Sequence, residues 1–449
     1  MTKQQHAFSY WNSYWFRPAS LFNLAVCRIV VIAFQLFYLV KNDYLGQLLE
    51  RSLLPDSLYQ PLPVLQFLLP LANYRPSAEI LTITYWLAII AGMCSLLGIR
   101  TKVSLLVFAM SNLLIQAYLY SFGDFHHPEA LMLIALFVLA LSPAGGVLSY
   151  DNLQRRLRSR TTKKRWSEFN IVTQKSPWAG WSLLLIQWLF ALIYLSAAMS
   201  KILQTQPLAL TLDWMNGYTL QFYLIRDGIR WGSELGVWLG QHHTFAWLSS
   251  IVAILFESTF WVVLLFPKLA WLYIPAGTAF HTGIYWTQRA PFFQYIALYS
   301  VFVPWASLVQ SLSRYFQAKK EPKLEVFYDG LCPLCIRSMI VLRYFDWFER
   351  ITYSNLETQW YRLSSRHPHI SLTDCRQRMH VLLPHGAVRK GFFAFRAVLK
   401  YLPLLWPLHL ICCLPMASVI GPKVYQWVAW RRSRFERCSY NHCLVDSKK

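Results

Sequence analysis

The first three hundred residues alternate long apolar runs with short polar interruptions, and the runs are as long as a bilayer is thick. Stretches 80–99, 103–123, 130–150, 176–200, 269–288 and 290–313 contain no Asp, Glu, Lys or Arg. Each holds at least 20 residues, enough helix to cross about 30 Å of hydrocarbon. Two further runs carry a single charge, Arg28 within 21–40 and Glu257 within 245–266. The pattern predicts eight crossings. The first run is too long, and its flank too poor in small residues, for a cleavable signal peptide. Segments 54–71 and 401–422 are also apolar but broken by prolines, four of them in the second: Pro403, Pro407, Pro415 and Pro422. They read as interfacial or packed broken helices rather than as spans.

Beyond a polar connector at 314–323 the pattern changes. LEVFYD has the branched and aromatic content of a strand, and GLCPLCIRSMIVLRYF reads as a turn entering a helix. The chain therefore divides into a membrane domain over 15–313, a linker over 314–323, a small domain over 324–435 and a basic tail over 436–449. The predicted class is a polytopic α-helical membrane protein of about eight transmembrane helices with a small C-terminal α/β domain.

Composition agrees with this division. Charged residues make up 14% and hydrophobic ones 55%, too few charges to cover a soluble fold of 449 residues. The formal charge of +22 falls in the connecting loops, as the positive-inside rule describes, so it gives no reason to expect nucleic acid. Seven Lys or Arg lie between Arg155 and Arg165, which places that loop in the cytoplasm. Counting crossings from it puts both termini inside and the 204–244 segment outside. The tail from 310 onward has 22 basic against 9 acidic residues and fits the same side. The expected location is a cytoplasmic membrane of bacterial type.

Two sets of residues carry candidate chemistry. Cys332 and Cys335 are spaced to share one helix start, with Cys332 at the strand-to-helix turn, where amide groups stabilise a thiolate. Three readings remain for the pair: thiol–disulfide exchange, a structural pair, or half of a zinc site completed by Cys438, His442 and Cys443. Within the membrane domain the ionisable residues are Arg28, His126, His127, Lys201, Glu257 and His281, each costly in hydrocarbon unless paired or functional. His126, His127 and Lys201 fall at one depth, on the outer face. A desolvated Lys201 serves as a base and a neighbouring imidazole as a donor to an oxyanion. The bland readings are a snorkelling Lys201, a wet turn at the two histidines, and a structural Arg28–Glu257 pair.

Resemblance sharpens both sets. Val326-Phe-Tyr-Asp-Gly-Leu-Cys-Pro-Leu-Cys335, with GFFAFR, LPLLWPLHLICCLP and YQWVAWRRSR, resembles the DCC family of thiol-disulfide oxidoreductases over about 324–435. That resemblance implies a thioredoxin-like domain, with Asp329, Gly330, Cys332 and Cys335 in its characteristic motif and a thiol redox partner. This chain has HGAVRKGFFAF where related domains commonly carry an Asp-Gly. LAVCRIVV, FHHPEALMLIALFVLALSP, IYLSAAMSKIL with LDWMNGY, and AFHTGIYWTQRAPFFQYIALYSVFVP resemble the HTTM family, which is similar to the membrane part of vitamin K-dependent gamma-carboxylase. The resemblance implies Lys201 as catalytic base and His127 as its partner. It implies His281 as a further pocket residue and a membrane lipid or reduced quinone as the bound molecule, while Glu257, Arg28 and His126 are expected around the substrate from their cost in the membrane alone. Two function classes follow: a redox-linked membrane enzyme, or a non-catalytic lipid-binding or transport protein with a structural thiol domain.

Overall fold

The computed structural model describes residues 9, 11–68, 75–123, 127–158, 170–205, 208–211, 213–319 and 323–430. They form two compact units, one from Met1–Ser149 and Lys175–Pro304, the other from Tyr150–Gln174 and Trp305–Lys449.

The first unit is helical. Its early helices are α1 (Leu21–Lys41), α2 (Tyr44–Ser52), α3 (Ala78–Leu97), α4 (Thr101–Tyr120) and α5 (His127–Leu141). Serine caps mark where the apolar runs begin: Ser20 accepts from the Asn23 amide at 3.2 Å, and Ser77 from that of Ile80 at 3.5 Å. After α6 (Tyr150–Arg158), which belongs to the second unit, the first resumes with α7 (Pro177–Ile202). It continues through α8 (Tyr218–Trp231), α9 (Glu234–Gly240), α10 (His243–Thr259), α11 (Ala270–Gln288) and α12 (Phe293–Leu298). The core is one continuous apolar cluster running from Leu24 to Phe302. Helices α1, α3, α4 and α7 nevertheless turn large apolar residues outward, among them Phe37, Ile83, Trp86, Val103 and Trp178. An apolar core with an apolar exterior is what a bilayer-embedded bundle requires.

Among the described residues five helices are long and apolar enough to span: Leu21–Lys41, Ala78–Leu97, Thr101–Tyr120, Pro177–Ile202 and His243–Leu265. The number rises to seven if two bent pairs each count once. Two runs expected to cross are not continuous helices. Helix α5 stops at Leu141, and Pro143, Gly145 and Gly146 follow in turns, so the 130–150 run ends early. The 290–313 run is divided between α12 and α13 (Trp305–Ala318), with Pro304 between them. The 269–288 run is a 19-residue helix, α11, with Pro275 inside it. Absence of charge measured apolar length and was blind to proline and glycine.

The second unit carries a four-stranded sheet of β1 (Leu324–Tyr328), β2 (Ile351–Asn355), β3 (His380–Leu382) and β4 (Val388–Lys390), in the order β2–β1–β3–β4. Strand β1 is parallel to β2 and antiparallel to β3, and β3 is antiparallel to β4. The parallel pair is joined through α14 (Pro333–Phe345), as a parallel connection demands. Helices α15 (Leu356–Ser364) and α16 (Leu372–Gln377) precede β3, and α17 (Gly391–Leu399) follows β4. The 401–422 segment forms a short turn, then α18 (Trp406–Cys413) and part of α19 (Ala417–Trp430). Both helices pack on α17 through Phe392, Leu399, Cys412 and Tyr425, in keeping with broken helices set on the small domain.

Candidate functional site

The thiol pair stands where the parallel strand feeds the helix. Cys332 is the N-cap of α14, in extended conformation with Pro333 at the first helical position, and its sulfur accepts the Cys335 amide at 3.5 Å. Pro333 gives up no hydrogen bond there, since first-turn amides have no partner within the helix. The preceding turn is held by Asp329, whose Oδ1 accepts the Leu331 amide at 2.9 Å and whose carbonyl accepts that of Cys332 at 3.3 Å. Gly330 is required by packing: a Cβ there would overlap the side chain of Asn355. Asn355 is the last residue of β2 and caps α15 by accepting the Glu357 amide at 3.0 Å. The Asp-Gly of the motif thus fastens the turn to the neighbouring strand. Asp329, Cys332 and Cys335 are all buried.

Two other groups of this unit are tuned by burial. Asp346, at the end of α14, accepts the Arg350 and Ile351 amides at 3.0 and 3.2 Å. Its loss of hydration outweighs those bonds and raises its pKa to about 7. Burial pushes the Cys375 thiol up to about 12, which keeps it protonated and inert.

In the membrane unit, Lys201 lies in the last turn of α7, where a cation suits the helix dipole. Its Nζ donates to Glu257 Oε2 at 2.6 Å and to the Ala197 carbonyl at 3.2 Å, and it lies 5.3 Å from the centre of the Trp214 ring. Glu257 is buried on α10. Two turns back along α7, the Tyr194 hydroxyl meets His281 Nε2 at 2.7 Å and the Tyr299 hydroxyl. Gly277 admits Tyr299, whose hydroxyl a Cβ at that position would overlap. Phe260 packs 4.6 Å from Tyr194 and Tyr295 stacks 5.0 Å from His281, so the hydroxyl–imidazole chain is enclosed by rings.

Of the residues expected around a membrane substrate, Lys201 and Glu257 are brought together, and His281 joins Tyr194. Arg28 is not part of that set. It is fully buried and donates to the carbonyls of Ala144 at 3.0 Å and Leu148 at 2.5 Å, bracing the turns after α5. The expected Arg28–Glu257 pair gives way to Lys201–Glu257, because the turn beside Arg28 presents unpaired carbonyls that a guanidinium satisfies. His126, the side chain of His127, and Cys438, His442 and Cys443 lie outside the described residues. Among the described residues no group of three or more His, Cys, Asp or Glu is placed to hold a metal.

Sequence reading missed Glu129, which resembled an ordinary loop acid ahead of an apolar run. It is buried, accepting from Tyr38 at 3.2 Å, Tyr120 at 2.9 Å and Gln294 at 3.2 Å. It missed the roles of Tyr194, Tyr299 and Trp214 as well, since an aromatic residue in an apolar run carries no mark of what its hydroxyl or ring meets.

No curated protein and no solved structure matches this chain. Residues 326–438, which include the thiol pair, match the family described as DCC1-like thiol-disulfide oxidoreductase.

Proposed function

We propose that the chain is a membrane-bound redox enzyme in which dithiol–disulfide exchange at Cys332 and Cys335 accompanies a proton-handling site at Lys201 and Glu257. The observation that carries this reading is the Cys335 amide directed at the Cys332 sulfur from the first turn of α14, which favours negative charge on the attacking sulfur. The family match over 326–438 supports the same chemistry. The sheet order β2–β1–β3–β4, with one parallel pair and a thiol turn after the first strand, supports a thioredoxin-like domain. Its location is a cytoplasmic membrane of bacterial type, with both termini inside.

The membrane unit acts as a carboxylase-like module on a lipid or quinone-like molecule. An ammonium that donates to a carboxylate has no lone pair with which to act as a base. Proton transfer within the pair, from Lys201 to Glu257, yields a neutral amine and a neutral acid without changing net charge, so the pair is the unit that takes a substrate proton. Trp214 covers the amine from the loop side. Two turns away Tyr194 links His281 to Tyr299 through its hydroxyl.

The test uses the full chain in detergent, reduced with a phosphine, desalted and mixed with hydroxyethyl disulfide. Wild-type protein exchanges and closes a Cys332–Cys335 bridge, Cys332→Ser loses the fast phase, and Cys335→Ser stops at a mixed disulfide on Cys332. Equal rates for wild type and Cys332→Ser would refute the reading.

A further inference from the structure

Beside the thiol pair lies a cavity of about 730 Å³ that belongs wholly to the second unit. Asp329, Leu334, Cys335 and Ser338 form one wall, and Phe392, Ile411, Ile420 and Val424 on α17, α18 and α19 line the others. Ile411, Ile420 and Val424 are exposed although they line the cavity, so it is open at these residues. These belong to a run of exposed apolar side chains, from Leu404 and Trp406 through Leu410 and Met416 to Trp427 and Trp430. An exposed apolar surface of that length is stable against lipid rather than water. The cavity therefore opens through a face suited to the bilayer, and Cys335 stands on its wall.

The lining selects the occupant. A peptide segment brings an N–H and a C=O at every residue and needs partners for them when buried. Here nearly every wall is hydrocarbon, aromatic or sulfur, and the Tyr425 hydroxyl is already engaged by the Met379 amide at 2.9 Å. A ligand with an apolar body and few polar atoms suits this space. One that meets a dithiol must also carry two electrons.

We propose that the cavity binds a lipid-soluble quinone that takes electrons from the Cys332–Cys335 dithiol through Cys335, the member of the pair on its lining. This rests on the reading of the pair as redox-active and adds the identity of its oxidant. In each turnover two S–H bonds break and one S–S bond forms between Cys332 and Cys335. The two electrons and two protons pass to the quinone, which leaves as the quinol. Asp329 is the acidic side chain on the lining. Cys375, which also lines the cavity, remains a protonated bystander.

The experiment uses phosphine-reduced, desalted full chain in detergent, mixed without oxygen with a decyl-chain benzoquinone. The expected result is one quinol formed per two thiols lost, a protein mass lower by two hydrogens with no adduct, and no reaction in Cys332→Ser. Ala417→Trp, which fills the cavity, slows quinol formation by about tenfold or more while exchange with hydroxyethyl disulfide stays within about twofold of wild type. That second rate also reports whether the variant is folded, and Val428→Trp at the rim is the independent second variant. A tailless sulfonated quinone reacts more slowly than the decyl form. Normal disulfide exchange with no quinol, or quinol formation unchanged in both filled variants, overturns the proposal. So does a cavity-dependent exchange with an apolar peptide disulfide in place of quinone reduction. Loss of hydroxyethyl disulfide exchange in the wild type refutes the redox reading of the pair itself.

Discussion

Lys201 Nζ lies 2.6 Å from Glu257 Oε2, with side-chain exposures of 16% and 6%, so an ion pair joins α7 to α10 in an apolar bundle. Removing one partner from such a pair leaves an uncompensated charge, at a cost of about 3–5 kcal/mol. Lys201→Met is therefore expected to lower the unfolding temperature in detergent sharply, and Lys201→Met with Glu257→Gln to recover most of the loss. A purely snorkelling lysine would show no such recovery. Once a substrate is in hand, the stable double variant is expected to bind it and fail in the proton-transfer step, read by single turnover.

Arg28 has a structural role. Arg28→Met is expected to leave the Ala144 and Leu148 carbonyls unpaired, at about 1–3 kcal/mol each, and Arg28→Lys to restore only part because an ammonium lacks the planar fork. Heat-induced aggregation of the full chain in detergent ranks the three proteins. Thiol exchange at Cys332 is expected to stay at the wild-type rate in whatever folded fraction remains.

Asp346 gives the small domain a pH dependence of definite sign. Burial lifts its folded pKa from 3.8 to about 7, so between those values the folded state keeps a proton that the unfolded state has lost. Its contribution is full below pH 3.8 and disappears as pH rises through about 7, at up to about 1.4 kcal/mol per unit. Hydrogen exchange of the β1 and β2 amides in the full chain, corrected for intrinsic rates, should show protection falling across that window. Asp346→Asn is expected to flatten the profile, and an unchanged slope would contradict the assignment.

The proposed orientation can be read by labelling single cysteines placed at 160, 208 and 448 in a chain stripped of reactive thiols. An impermeant maleimide applied to intact cells is expected to label position 208 alone. Positions 160 and 448 should label only after permeabilisation. Labelling of 448 from outside would reverse the topology.

What the sequence determined by itself is local. Apolar length announced the spans over Leu21–Lys41 and Pro177–Ile202, because helix rise and bilayer thickness leave little choice. Strand, Asp-Gly turn and Cys-Pro-Leu-Cys announced the thiol site, because Cys332 and Cys335 are fixed by one turn of one helix. Tertiary structure decided everything that depends on how a helix is rotated and what faces it. Lys201 chose Glu257, 56 residues away, and Arg28 chose carbonyls 116 and 120 residues away. In an almost uniformly apolar helix the hydrophobic pattern does not say which face is inward, so only packing could assign those partners. The cavity beside Cys335 has the same origin: α17, α18 and α19 are each legible as apolar segments, but the space they enclose exists only once they pack against the sheet and α14.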